Sequence, residues 1–426
     1  MSTLPLTPEV TASDLIPTAA DRSQQLRRIR DALRAADLQA YIAFTPPNVH
    51  YVSGYESYFL SSWWRMHGKI FAALSADGSK APALVLGDAE DATAAEDLGT
   101  RVFPYAMWVE PADLAQIRDS ARTPAERPAQ WSEDAIDVAL ADVLRSYGIS
   151  RGRVGTDLSH MTHDAYRRLR RVAPEIEWVD FTDDMYRVRA VKFDYEIARL
   201  QAATELADAG MRNAVATARD GASITDIHSG FVEGVARHAR TDAKFAGFST
   251  FWVLPAFGRA AGINTSQTQG LQPGDLIKFD CGTTVLGYRS DHGRTFAYGD
   301  VSPQAHELYD TLKAAHTAAI EAVRPGVLSS EIFDVAEKRV REHGYPNYNR
   351  GHFGHSVGMD SFHEEPPFLS RHETEPLRAG MVLAIETPFY GGDLGSIMIE
   401  DLVLVSETGG QLLSRLPREL VAVQPR

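Results

Sequence analysis

Two stretches decide how this chain reads: Leu271–Thr284, LQPGDLIKFDCGTT, and Leu377–Tyr390, LRAGMVLAIETPFY. Both open on a leucine, reach a glycine three residues later, and run into an apolar strand that carries one acid. Asp280 lies six residues after Gly274, and Glu386 lies six after Gly380. A second acid follows each on a neighbouring β-rich stretch: Asp291 eleven residues on, and Glu400 fourteen on. The pattern predicts two hairpin-like units, each with two carboxylates, related by an internal pseudo-twofold.

Acids in such surroundings need an explanation. Asp280 follows LIKF, Glu386 follows MVLAI, and Glu400 stands between SIMI and DLVLV. A buried carboxylate neutralises or finds a partner, and four converging carboxylates repel one another. Pairing with an arginine such as Arg294, or with backbone amides, would satisfy any single one. For all four together, two divalent cations are the simpler answer. Oxygen donors with one imidazole suit manganese, cobalt or iron better than a thiolate-type zinc site. The imidazole is sought in RGHFGHSVGMDSFHEEPPFL at 350–369, where His352, His355 and His363 are interleaved with glycines. That segment reads as a glycine-rich loop, poor as a helix and poor as a core strand, with His355 the candidate ligand.

Working outward, residues 1–20 are polar, hold three prolines and read as an arm. Leu26, Ile29, Leu33 and Ala36 recur at helical spacing, and AYIAFT follows as a strand. A helix over 133–147, strands at 153–157 and 176–182, and a surface loop at 118–132 complete an α/β grammar for the first 185 residues. One long helix is expected from about Val188 to Ala218, linking two domains. Beyond it come a helix over Ser223–Arg240, β-rich stretches at 245–257, 275–299, 381–390 and 395–405, and helices over 303–323 and 329–343. The expected division is an N-terminal α/β domain at 1–185 and an α+β domain at 186–426.

Composition limits the function. With 426 residues, two or three domains are expected. The chain is 44% hydrophobic and 23% charged, which is globular and neither disordered nor fibrous. Lys and Arg number 43 against 57 Asp and Glu, a net charge of -14 without a basic block. Nucleic acid and anionic membranes are therefore poor partners. Apolar runs stay short of a membrane span, the first residues lack the pattern of a secretory signal, and Cys281 is the only cysteine. A cytoplasmic enzyme or binding module is expected.

The motifs resemble the creatinase/aminopeptidase P/prolidase family, the M24 metallopeptidases, whose catalytic domain has the pita-bread fold. KFDCGTTVLGYRSDHGRTF at 278–296, GHSVGMDSFHEEP at 354–366, AIETP at 384–388 and MIEDLVLV at 398–405 carry the resemblance. It extends into the linker-like stretch 185–211 and, more weakly, into NVHYVSGYESYF at 48–59. The resemblance implies a creatinase-like N-terminal domain and a dinuclear metal site held by Asp280, Asp291, His355, Glu386 and Glu400. Glu386 would relay a proton, and His363 and His352 would donate hydrogen bonds to the substrate. It further implies a homodimer, with Trp63, Trp64 and Arg65 meeting a carboxylate-bearing substrate. The metals would be manganese first, with cobalt, iron or zinc as alternatives. The substrate would be a short Xaa-Pro peptide.

Some positions depart from the family's pattern. The upstream histidine is missing from 251–275, where Asn264 and Thr265 stand nearby. Met398 replaces an arginine, Gly293 replaces a threonine, and His363 follows His355 by eight residues rather than seven. These changes spare the ligand set and alter the substrate shell. They leave open a non-peptide hydrolase of the creatinase or ectoine-hydrolase kind, or a metal-dependent lyase. A metal-free binding module would have lost its ligands, and all five are present. Gly354–Gly358 matches G-x-S-x-G, but its flanks lack the strand and helix of a nucleophile elbow.

Overall fold

Helices begin where the side chains supply caps. Thr18 Oγ1 accepts from Asp21 N at 3.1 Å while Asp21 accepts from Thr18 N at 2.8 Å. Ser223 and Asp226 repeat the arrangement at the same distances. These reciprocal pairs satisfy orphan amides and fix the starts of Ala19–Ala35 and Ile224–His238. The computed structural model describes residues 4–259, 268–360 and 364–426. The chain divides into Pro17–Val188 and a second unit of Arg189–Arg426 with the described residues up to Ile16.

In the first unit the strands are β1 (Ala40–Ala43), β2 (Phe71–Ser75), β3 (Ala83–Gly87), β4 (Arg101–Tyr105), β5 (Gly152–Thr156) and β6 (Ile176–Asp180). They form one mixed sheet in the order β4-β3-β2-β1-β5-β6. Central β1 is wholly buried, as its unbroken apolar run requires. Helix Glu133–Tyr147 buries Ile136, Leu140 and Val143, and it ends at Gly148 in the left-handed region at φ 74°.

The second unit holds β7 (Phe248–Val253), β8 (Ala256–Phe257), β9 (Leu276–Val285), β10 (Tyr288–Arg289), β11 (His292–Tyr298), β12 (His352–Ser356) and β13 (Glu365–Ser370). It continues with β14 (Val382–Glu386), β15 (Phe389–Gly391), β16 (Gly395–Ile397), β17 (Glu400–Ser406), β18 (Gly409–Leu412) and β19 (Val421–Val423). The main path runs β10-β9-β11-β17-β14-β12-β13. The two echoed segments become antiparallel pairs, β9 with β11 and β14 with β17, and they join where β11 meets β17. Gly274 and Gly380 explain the echo's fixed glycine. Both turn the chain at positive φ, 99° and 88°, just before a core strand.

Three expectations need correction. The arm is packed: Leu6 bridges Leu412 of β18, and Leu15 is buried in the core. Its backbone is held by side chains of the helix Asp194–Thr217, with Arg199 Nε donating to Leu15 O at 2.9 Å and Gln201 Nε2 to Pro8 O at 2.6 Å. The single helix over Val188–Ala218 is two, Thr182–Ala190 and Asp194–Thr217. It breaks because Val191 bridges Met381 and Lys192 N donates to Gly380 O, which diverts the backbone to a sheet edge.

The glycine-rich loop at 352–356 is strand β12, paired to β13 and β14. Its glycine is what lets the strand fit. Gly354 has φ 136°, and a Cβ there would lie 1.9 Å from Ala384 O. Gly354→Ala should therefore force β12 from β14 and cost at least about 1–3 kcal/mol, read as a lower urea midpoint. An unchanged midpoint would refute this account of the glycine.

Candidate metal centre

Strand register builds the site. Asp280 pairs with Gly293, Gly293 with Glu400, and Glu400 with Glu386, one row across four adjacent strands. Directly paired residues share a face of a sheet, and so do residues two apart in a strand. That puts Lys278 on the face of the row, and Asp291, the residue just before β11, converges there with Glu400. His355, paired with Ala384 two residues before Glu386, joins them.

The side chains of Asp291, His355 and Glu400 converge, each offering one ligand atom within 4.8 Å of the others. All three are buried. His355 Nδ1 lies 2.9 Å from Ser356 O, which calls for a proton on Nδ1 and leaves the Nε2 lone pair to face the site. That Nε2 is 3.5 Å from Asp291 Oδ2. Glu400 Oε2 is buried with no hydrogen-bond partner among the described residues. Burial first, then repulsion from Asp280 and Glu386, pushes the Asp291 carboxyl well above the ordinary range. Glu400 is pushed up likewise, by burial and then by Asp291 and Glu386. These buried oxygens and one oriented imidazole fit a hard divalent cation, which would relieve both penalties.

The other two acids are held differently. Asp280 Oδ2 is 3.0 Å from the buried Lys278 Nζ. Glu386 Oε1 accepts from Arg350 at 2.6 Å and lies 3.4 Å from His352 Nδ1. Arg294, a pairing considered from the sequence, serves none of the four carboxylates. It ion-pairs with Asp401 at 2.5 Å and donates to the carbonyl of Glu400 at 2.6 Å.

His352 is partly buried, its ring 6.0 Å from that of His355, and burial pulls its pKa down. His363, Asn264 and Thr265 lie outside the described residues. Trp63, Trp64 and Arg65 belong to the N-terminal unit. There Trp63 stacks on Trp108 at 5.6 Å, Trp64 is 79% exposed, and the Arg65 guanidinium stands 5.4 Å from the centre of the Trp131 ring. Reading the sequence missed Lys278 and Arg350. Lys278 carried a signal: a charge inside an apolar strand, two residues from Asp280 and so on its face.

The two departures at 293 and 398 are one feature. A Cβ on Gly293 would lie 2.4 Å from Met398 Cγ and 2.5 Å from Phe279 O. The methionine occupies the space that any side chain at 293 would need, so the apolar residue and the glycine are matched.

A sheet of this topology bearing such a row of acids defines a metal-dependent hydrolase with the pita-bread fold. The chain belongs to metallopeptidase family M24: that family's model matches residues 198–407, and the creatinase/prolidase N-terminal domain matches residues 25–191. The chain is 30% identical over 240 residues to a Xaa-Pro dipeptidase of Pyrococcus furiosus, a match covering 56% of this chain and 67% of the relative. It is 29% identical over 307 residues to a putative dipeptidase, YkvY, of Bacillus subtilis, covering 69% and 82%. The solved prolidase of Pyrococcus horikoshii superposes with a TM-score of 0.74 at 21% identity, over 93% of this chain and 100% of that one. The dipeptidase PepE of Mycobacterium ulcerans gives 0.71 at 24%, over 96% and 99%. No helix among the described residues is long and apolar enough to cross a membrane.

Proposed function

We propose that this metallohydrolase cleaves the Xaa-Pro amide bond of short peptides. The observation that carries the reading is the convergence of Asp291, His355 and Glu400 within 4.8 Å at the centre of the acid row. The names of the relatives, Xaa-Pro dipeptidases among them, support the substrate class.

Asp280, Asp291, His355, Glu386 and Glu400 are the proposed ligand set, for manganese first, since carboxylates and one imidazole are hard donors. A bound divalent ion supplies a lowered water pKa and a polarised carbonyl. The chain's own residues do the rest. Arg350 fixes one oxygen of Glu386, leaving Oε2 to take a proton from the attacking water and pass it to the leaving nitrogen. His352, beside Glu386, is the proposed donor to the substrate carbonyl, with His363 as a second. Such a donor is worth about 2.7–4 kcal/mol of barrier.

Trp63, Trp64 and Arg65 are proposed substrate contacts, supported by the exposure of Trp64. A homodimer is supported by the exposed apolar surface of Tyr58, Trp64 and Trp108 in the N-terminal unit. A reducing cytoplasm is supported by Cys281, buried and without a disulfide.

The test is turnover of Ala-Pro and Ala-Pro-Ala by manganese-loaded protein, followed by mass spectrometry beside a chelated control. Metal-dependent release of alanine is expected. No cleavage by protein that still binds manganese would sink the Xaa-Pro reading. The matched pair Gly293 and Met398 would then direct the search to small non-peptide amides.

A further inference from the structure

Behind the acid row, one helix grips the backbone around Glu386 at two points. Side chains alternate along β14, so Ile385 turns away from the face that carries Glu386. There it shares an apolar cluster with Ala319 and Ile320 of the helix Pro303–Ala322. From the same helix, His316 places Nε2 2.9 Å from Ile385 O, and Thr387 Oγ1 donates to Leu312 O at 3.1 Å. Residues 312 and 316 are four apart and lie on one helix face. The two bonds therefore bracket Glu386, one on the residue before it and one on the residue after it. Leu312, His316 and Thr387 are all 0% exposed.

The histidine is committed to this bond. A carbonyl only accepts, so Nε2 carries the ring's proton. Burial pulls its pKa down to about 4, which leaves the ring neutral with no second proton to give. Asp401, 3.8 Å from Nε2, is already paired with Arg294. The other ring nitrogen, Nδ1, is buried without a hydrogen-bond partner among the described residues. An unused buried acceptor is a cost to the fold that an apolar side chain would avoid. What the imidazole supplies is one donor, spent on the peptide group that joins Ile385 to Glu386.

We infer that His316 and Thr387 are positioning residues of the metal centre, holding the backbone on both sides of Glu386 so that its carboxylate meets the ion at a fixed place in the row. This rests on the metallohydrolase reading, with Glu386 among the ligands, and adds what aims that ligand. Arg350 holds Oε1 of the same carboxylate at 2.6 Å, so Glu386 is fixed at its head as well as at its root. Thr387 N also donates to Ile399 O at 3.0 Å, which ties the bracket to the residue just before Glu400. Groups that aim a ligand without touching the ion are typically worth about 10–100-fold in metal affinity or activity.

The test titrates manganous chloride into metal-free full-length protein by calorimetry, with a urea midpoint in chelator beside each affinity. His316→Leu removes the donor and should weaken binding about tenfold or more. His316→Gln keeps an N–H within reach of the carbonyl and should bind within about twofold of wild type. Thr387→Val removes only the hydroxyl; it should weaken binding in the same direction, and it serves if His316→Leu fails to fold. Phe231→Leu, in the buried face of Ile224–His238, should lower the midpoint and leave the affinity as it is. Wild-type affinity in a folded His316→Leu or Thr387→Val protein would overturn the inference while leaving the hydrolase reading standing. So would a loss in His316→Gln equal to that in His316→Leu, which would remove the donor as the cause. An equal loss in Phe231→Leu would overturn it too, by making the effect one of general stability. No manganese bound by wild type would overturn both readings.

Discussion

Replacing Glu400 with glutamine should abolish metal-dependent turnover and, in chelated buffer, raise the unfolding free energy by about 1–3 kcal/mol. The two effects have one cause. Glu400 is 2% exposed, has an oxygen without a hydrogen-bond partner among the described residues, and faces Asp291 and Glu386. Without a cation its charge is an expense to the fold, and the neutral amide removes it. With a cation the charge is the ligand, and the amide forfeits both binding and the stabilisation that binding adds.

The pH dependence follows in sign. Burial and mutual repulsion hold the Asp291 and Glu400 carboxyls above their ordinary pKa. In the folded state they therefore keep protons that the unfolded chain has released. Their stabilisation is complete below the unfolded carboxyl range of about 4 and fades as pH climbs through the raised values. Chelated wild type should lose stability from pH 5 to pH 8, and Glu400→Gln should flatten that slope. Urea titrations of both proteins in chelator decide it. A variant less stable than wild type there would refute the reading of Glu400 as a strained charge.

Arg294→Met should cost about 3–5 kcal/mol, because it leaves Asp401 buried and alone. Asp401 is 0% exposed, and its other basic neighbour, His316, is 3.8 Å away and neutral near pH 7, its pKa pulled down to about 4 by burial. The arginine also donates to the carbonyls of Gly293, Glu400 and Pro417 at 2.9, 2.6 and 3.1 Å, tying β11 to the start of β17 and to the segment beyond β18. Its loss should loosen the strand that carries Glu400, so manganese affinity should fall with stability. The double variant Arg294→Met with Asp401→Leu should recover much of the stability, since an apolar pair removes the stranded charge. If the single variant unfolds at the wild-type urea midpoint, the pair is not what holds these strands together.

How much was legible depends on which forces act locally. Strands β9, β11, β14 and β17 were readable because Leu276–Phe279 and Met381–Ile385 are apolar runs after a turn glycine. The helices Glu133–Tyr147 and Ser329–Glu342 were readable from their amphipathic spacing. The acids stood out because a carboxylate in such a run demands a partner. What was not legible lies in long-range geometry. Nothing local in GHFGHS announces a strand, because Gly354 fits only against a carbonyl thirty residues away. The break at Val191–Phe193 is made by a sheet edge near residue 380, which helix periodicity cannot register. Gly293 and Met398 read as two separate departures, and only their contact shows them to be one.

The arm also sets the order in which the protein can be completed as it is made. Thr7 and Leu412, joined by hydrogen bonds, are 405 residues apart in the chain. At about 5–20 residues per second, a ribosome needs roughly 20–80 s to travel between them. Pro17–Val188 is a unit of its own, with its sheet complete by Asp180, so it can fold while synthesis continues. The arm's Leu6–Thr7 stretch must meanwhile stay unpaired until β18 has been made. Any segment that lengthens the wait or captures the arm would slow maturation without touching the acid row.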